Sequence, residues 1–500
     1  MQCVLYLRRY QKKVFQMTRH CLFYFTALLL LLTNSAIAQI ENNAPDNSSN
    51  QGDTTILQST AIVDTIQHLY NMDSLDKAQK KRESADLLKI AALQAETDKI
   101  WMKKQIGALS ARNMRGRGYV KGGIDSAAIY ILKKYKEFKL KPVGANGAFT
   151  QGFAFPVNTF PGKMKLSLNG DQLKPGIDYV IDPASPSFTG SKLPVKTINL
   201  NDIADRLAWK YILSQFDGSH AYLLQNADLF CSKILYVKRN VFLASLPAGV
   251  YLLPQNGILQ WGISRDTIAA TIFCVHPDVL PKNLKSLSAE VVSEFIPRAR
   301  NVNIVGCVPG AVTDSYIVFS AHYDHLGMMG DTTMFPGASD NASGVAMMLN
   351  LASFYIKHPP HYTIVFIAFS GEEASLMGSE FFVKNPMFPL KKIRFLINMD
   401  VMGDASNALT VVNATENQEE YGLLKKINDK EKFVPELRSR GPAANSDHYY
   451  FAKAGVPAFF IYSNGGKGYY HDIYDKAKEI TANNLDGVAK LLITFARELN

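Results

Sequence analysis

YIVFSAHYDHLG at residues 316–327 and YTIVFIAFSGEE at residues 362–373 decide the fold. Each opens on a short, continuous apolar run and then breaks into small, acidic and imidazole side chains. Such runs suit strands covered on both faces. The same reading gives strands at Tyr316–Ser320, Thr363–Phe369, Ile393–Met399, Leu409–Val412 and Pro457–Tyr462. Between and after them, Ala342–Ile356, Ser375–Val383, Glu416–Asn428 and Leu485–Leu499 carry apolar residues at helical spacing. Alternating strands and helices predict an α/β fold with a mixed, mostly parallel central sheet sandwiched by helices.

Upstream the character changes. Residues 151–290 alternate β-branched and aromatic runs with Pro, Gly and Asn turns, as in Leu166–Gly170 and Tyr179–Asp182, with one helical interruption at Leu207–Gln215. This predicts an inserted β-rich domain. Residues 111–150 hold an amphipathic helix, Ile124–Phe138, behind the break Arg115-Gly116-Arg117-Gly118, and are assigned to the same domain as residues 291–500. Residues 39–110 read as a polar leader followed by a helix over 73–108.

Composition bounds the partners. The chain has 500 residues and a formal charge of +10. Arg8, Arg9, Lys12, Lys13 and Arg19 supply half of that charge within residues 1–38, which contain no acid. The remaining cations are dispersed, which argues against a nucleic-acid partner. The basic flank precedes an apolar run, Cys21–Thr33, and the small-residue site Ser35-Ala36-Ile37-Ala38, with Met17 as an alternative start. That order reads as a cleaved signal peptide over 1–38, leaving no membrane span and a periplasmic or extracellular protein. The other reading, an uncleaved anchor, is disfavoured because a span needs about 20 apolar residues. No Cys stands at the cleavage site to carry a lipid. Cys231, Cys274 and Cys307 remain beyond it, an odd number that permits at most one intrachain disulfide.

His322, Glu372, Glu373, Asp400 and His471 all follow the carboxyl end of a predicted strand, the edge where open α/β sheets bind ligands. Asp340 joins them from the loop ahead of the helix that begins at Asn341. Two imidazoles and three carboxylates suit zinc well, and cobalt or manganese less specifically. Five ligands exceed the need of one tetrahedral ion. One bridging Asp with two private ligands on each side solves the count, and a pair of ions about 3.5–4 Å apart can activate water and polarise a carbonyl.

Ser320-Ala-His-Tyr-Asp-His-Leu-Gly327, Gly337-Ala-Ser-Asp-Asn-Ala-Ser-Gly344, Phe369-Ser-Gly-Glu-Glu373, Asn398-Met-Asp400 and Ser446-Asp-His448 together resemble the co-catalytic di-zinc aminopeptidases. Glutamate carboxypeptidases, glutaminyl cyclases and the transferrin-receptor ectodomain are relatives within that family. The resemblance covers residues 300–500, with a weaker echo at Gly116–Phe153. It implies two Zn²⁺ ions, with His322 and Asp400 on one, Glu373 and His471 on the other, and Asp340 between them. It also implies Glu372 as general base, Asp324 accepting the second N–H of His322, Tyr470 as oxyanion donor, and a cis peptide bond between Asp340 and Asn341. The insertion is similar in position to the family's protease-associated domain.

The expected function is therefore a secreted zinc exopeptidase that removes N-terminal residues from peptides. A carboxypeptidase, a single-zinc glutaminyl cyclase and a non-catalytic receptor-like member are the alternatives. A carboxypeptidase needs an Arg for the terminal carboxylate. Residues 441–471 contain none, while Arg438 and Arg440 lie just upstream. Glu372, Asp400 and Asp447 are candidate acceptors for a substrate amine. His358 and His361 read as surface residues, and His325 and His448 as partners of the ligands.

Overall fold

The computed structural model describes residues 98–143 and 147–499, all of them within one compact unit, Ala91–Asn500. The signal-peptide, leader and most of the 73–108 helix readings lie outside the described residues, and residues 98–109 are helical. No helix among the described residues is long and apolar enough to cross a membrane.

Among the described residues eight strands form the main sheet, in the order Thr150–Thr159, Glu294–Val308, Tyr362–Phe369, Val312–His322, Ile393–Met399, Ala458–Asn464, Ala408–Val412, Leu437–Arg440. Its centre is parallel: Val312–His322 pairs with Tyr362–Phe369 on one side and Ile393–Met399 on the other, and Ile393–Met399 pairs with Ala458–Asn464. The central runs are apolar throughout because both faces are covered. Along Tyr362–Phe369, Ile364, Phe366 and Ala368 enter the core that contains helices Gly344–Lys357 and Leu485–Glu498. Val365, Ile367 and Phe369 alternate to the opposite face, against Phe382 and Phe451. Period-two alternation with both sets buried is what a sandwiched strand requires.

The second sheet also has eight strands, and its four-strand centre, Phe188–Asn199, Ala221–Gln225, Gly249–Pro254 and Ala270–Val275, is parallel. Three helical segments cover it where the sequence suggests one: Arg206–Leu213, Ala227–Phe230 running into Cys231–Leu235, and Arg239–Ala244. The later ones are too short to establish a helical period. Thr150–Thr159, assigned from sequence mostly to the insertion, is instead the edge strand of the main sheet, in register with Glu294–Val308 from Thr150↔Ile304 to Thr159↔Glu294. Its alternating pattern is that of an edge strand, and the two strands together form the stalk through which the chain enters and leaves the insertion. Cys231, Cys274 and Cys307 are buried free thiols.

One close approach fixes the loops above the sheet. A Cβ at Gly118 would lie 2.4 Å from Gly327 Cα and 2.8 Å from its nitrogen, and Gly327 has φ +84. Only hydrogen at both positions lets the 112–118 turn lie against the loop after His322. Gly118→Ala is expected to cost about 1–3 kcal/mol of stability, the usual cost of overpacking. An unchanged denaturation midpoint would show that the two loops do not touch.

Candidate metal centre

Three parallel neighbours in the main sheet end at the same edge, and their ends carry His322, the Glu372-Glu373 pair and Asp400. The next parallel strand, Ala458–Asn464, leads into the loop with His471. Asp340 enters from the turn Ala338–Ser343 that leads into helix Gly344–Lys357, and its peptide bond to Asn341 is cis, as the resemblance implies. The chain thus brings His322, Asp340, Glu372, Glu373, Asp400 and His471 together at one edge, with Asp324 and Tyr470 beside them.

Asp340 turns one carboxylate oxygen to each of two imidazoles. Its Oδ1 is 3.3 Å from His322 Nε2, and its Oδ2 is 3.1 Å from His471 Nε2. Asp400 Oδ1 lies 3.1 Å from His322 Nε2, and Glu373 Oε2 lies 3.1 Å from His471 Nε2. Donors around a tetrahedral zinc, each about 2.0–2.1 Å from the ion, sit about 3.3 Å from one another. The spacing therefore fits two adjacent ions with Asp340 common to both. His471 Nε2 is buried between the carboxylate oxygens of Asp340 and Glu373, the position a metal-bound imidazole nitrogen would take. Glu372 and Glu373 face opposite ways, with Glu372 Oε2 4.0 Å from His322 Nε2.

Other residues hold this set in place. Arg117 is fully buried and spends all five N–H donors on carbonyl oxygens, those of Leu109, Tyr323, Pro336, Gly337 and Asp340. The Asp475 carboxylate accepts the main-chain N–H groups of Ser339 and Asp340. Ser320, Asn398 and Ser446 form a buried hydrogen-bonded chain that ends on Asp400 Oδ2, leaving Oδ1 toward His322. His325 lies 2.7 Å from the other oxygen of Glu373, so it anchors the acid from behind.

Asp324 departs from its expected role. His322 Nδ1 meets the Asp324 main-chain oxygen at 3.2 Å, while the nearest carboxylate oxygen is 3.7 Å away. That carboxylate instead accepts the Tyr119 hydroxyl at 2.7 Å and the main-chain N–H groups of Glu372 and Glu373. It fixes the turn that carries the two acids. Tyr470 is 45% exposed and stacks its ring on His471, with centroids 3.9 Å apart. Asp447 is fully buried, so it does not meet a substrate amine directly. His448 is buried against Phe460, His361 is exposed, and His358 is half-buried on Phe354.

Burial opposes every charge here, and the balance differs from residue to residue. For Asp340, contact with His322 and His471 overcomes burial and holds the carboxyl well below its usual range. Glu373 is likewise held at about 2, chiefly by His471. Glu372 goes the other way: burial, with the negative charges of Glu373, Asp400 and Asp447, raises it well above an ordinary glutamate despite His322. The carboxylates keep His471 charged up to about 11 although burial pulls it down. An acid cluster that holds its imidazoles protonated in this way is short of positive charge, which divalent cations would supply.

Arg117, Tyr119 and Asp475 escaped the sequence reading of the site, whereas His325, read there as a partner of the ligands, meets Glu373. Arg117 was visible only as part of a Gly-rich break, and Asp475 only by its nearness to His471.

Residues 303–496 match the family model described as peptidase family M28. The chain is 30% identical over 206 residues to aminopeptidase YwaD of Bacillus subtilis, covering 39% of this chain and 44% of that protein. It is 25% identical over 222 residues to a probable leucine aminopeptidase of Arthroderma otae, covering 42% and 59%. The chain thus spans less than two thirds of either relative. Among solved structures, a zinc aminopeptidase from Bacillus subtilis superposes with a TM-score of 0.59 at 19% identity, covering 80% of this chain and 93% of that one. A peptidase M28 precursor from Shewanella amazonensis superposes at 0.60 with 16% identity, covering 82% and 96%. The fold is that of the M28 aminopeptidases, and the family matched over residues 303–496 is the one the motifs resemble.

Asp340→Ala is expected to lower bound zinc per chain more than loss of His322, Glu373, Asp400 or His471, because both ions lose a ligand. Elemental analysis after dialysis checks this. Two tightly held ions in the variant would remove Asp340 from the shared position.

Proposed function

We propose that this protein is an exported zinc-dependent aminopeptidase acting on peptides. The observation that carries the reading is the Asp340 carboxylate held between His322 and His471, with the raised carboxyl of Glu372 beside it. His322, Asp340 and Asp400 would hold one ion, and Asp340, Glu373 and His471 the other. Zinc bound there supplies Lewis-acid polarisation of the scissile carbonyl and lowers the pKa of water.

The chain's own groups supply the rest. Glu372 accepts a proton from the attacking water and delivers it to the leaving amine, a role matched to a carboxyl whose pKa burial and its acidic neighbours have raised. Tyr470, on the solvent side of His471, donates its hydroxyl toward the carbonyl oxygen as negative charge develops there. Asp324 keeps Glu372 and Glu373 divergent through their main-chain N–H groups. Acids also favour a substrate held by its amine. Asp400, Asp404, Asp475 and Glu479 line the adjacent cavity of about 440 Å³, against Arg440 and Lys467. The basic flank and apolar run before Ala38 support export.

Glu372→Gln should keep its zinc and lose about 10²–10⁴-fold in kcat, the usual worth of a general base. Retaining more than about a tenth of the rate would reject that role. Acetylating the amine of a hexapeptide should stop hydrolysis, whereas amidating its distant carboxyl end should not. The reverse pattern would make the protein a carboxypeptidase. Zinc binding without hydrolysis of any terminal residue would favour the receptor-like alternative.

A further inference from the structure

The second sheet has two unlike faces. On one, Leu223, Leu252 and Phe273 share a core with Leu326 and Phe335, which belong to the loops of the metal centre. On the other, Tyr222, Leu224 and Tyr251 are covered by the helical segments Arg206–Leu213, Ala227–Phe230 with Cys231–Leu235, and Arg239–Ala244. Trp209 meets Phe230 and Phe242, with ring centroids 5.4 and 5.7 Å apart, and the Arg206 guanidinium donates to the Leu235 carbonyl. The segments therefore form one layer, on the side of the insertion turned away from the metal centre.

The outer surface of this layer is apolar and basic. Among the described residues fourteen large apolar side chains are exposed, and five of them, Leu207, Tyr211, Leu229, Tyr236 and Val241, fall between residues 207 and 241. Leu207 and Tyr211 stand about one helical turn apart on a single face, 78% and 69% exposed, and Tyr236 is 77% exposed. Side chains so far exposed project from the surface and line no groove. Cations are interleaved with them. Arg206, Lys210, Lys233 and Lys238 are exposed, and none of the four is in an ion pair among the described residues. From Arg206 to Val241 the chain carries five Lys and Arg against two Asp, one of which, Asp228, is paired with Arg239. Asp205, at the rim, is committed to the main-chain N–H groups of Leu207 and Ala208.

We propose that this layer docks on the surface of an anionic lipid bilayer, its apolar side chains entering the headgroup boundary and its cations meeting the phosphates. Leu and Tyr beside Lys and Arg is a composition that lies in such an interface. A rigid protein partner must offer a pocket to each projecting side chain, whereas a fluid interface needs none. A second copy of this chain is also a poorer occupant, because a two-fold contact sets the four cations against themselves. Docking is independent of the catalytic reading and leaves the metal edge free, since the layer and the metal-centre loops lie on opposite faces of the second sheet.

The test is co-sedimentation of the exported, zinc-loaded protein with vesicles of phosphatidylcholine alone and of an equal mixture with phosphatidylglycerol. Binding to the mixed vesicles should exceed that to phosphatidylcholine by roughly tenfold or more, and 1 M salt should release most of it. Lys210→Gln with Lys238→Gln should weaken it roughly 25-fold, about fivefold for each cation. Leu207→Ser with Tyr236→Ser should weaken it about a hundredfold. Both double variants should keep the zinc content and denaturation midpoint of the wild type, because none of the four side chains is buried in the core or touches the centre. Equal binding to the two vesicle types, no binding to either, or binding unchanged in the variants overturns docking. So does a dimer in analytical ultracentrifugation that the Leu207 and Tyr236 substitutions dissolve, which would make this face a contact between copies.

Discussion

The centre depends on one carboxylate being shared. Asp340 faces His322 with one oxygen and His471 with the other, so two loops from distant parts of the chain are registered against each other through a single side chain. Such a group must be held by something other than its own partners, or it would collapse onto one of them. Arg117 provides that hold. It grips the main chain at Pro336, Gly337 and Asp340, and it is satisfied by carbonyl oxygens alone. It forms no carboxylate pair, so its charge acts on the surrounding acids only through space. The acids around it, Asp340 first among them, favour its charged form, and burial still lowers it to about 10, so it remains a cation at any working pH. A buried charge is tolerated here because every donor is matched.

Adjacent acids are separated electrostatically by the same geometry. Glu372 and Glu373 share a turn, and Asp324 takes both of their main-chain N–H groups. Yet Glu373 faces His471 and His325 and is held at about 2, while Glu372, with fewer cations and three negative neighbours, rises well above the ordinary glutamate range. Paired carboxyls whose surroundings push them apart are how one site obtains both a permanent anion and a proton carrier. The sequence offers only Glu-Glu. The difference is created by which way each side chain leaves the turn.

What could be read from sequence followed from runs and periods. Ile393–Met399 is a strand over the predicted residues, and the helix predicted at Leu485–Leu499 runs over Leu485–Glu498, because each is long enough to show its pattern. The convergence of His322, Glu372, Glu373 and Asp400 follows from parallel strands alone. What escaped was chemistry carried by the main chain. The partner of His322 Nδ1 is the carbonyl of Asp324, which no side-chain identity announces. Arg117 sits in a Gly-rich break, where a charged residue ordinarily faces water. Thr150–Thr159 alternates like any surface strand, and only its pairing with Glu294–Val308 assigns it to the main sheet.

The insertion also takes part in the centre, although its sequence carries no catalytic pattern. Trp261 stacks on Phe335, with centroids 4.8 Å apart, in the segment that leads to Asp340. Its main-chain N–H donates to the carbonyl of His471, and its indole N–H donates to Ile181 within the second sheet. Gln260 donates to the carbonyl of Tyr470. His471 has φ 55, a left-handed conformation uncommon for a side chain of its size, and such a conformation persists only where surrounding bonds over-determine it. Asp472 caps the loop from within by accepting the N–H groups of Tyr470, Tyr474 and Asp475, and Trp261 holds it from outside. The segment that leads to Asp340 and the loop that carries His471 are thus both braced by one tryptophan of the insertion. The placing of the His471 imidazole against Asp340 therefore depends on the insertion as well as on the main sheet.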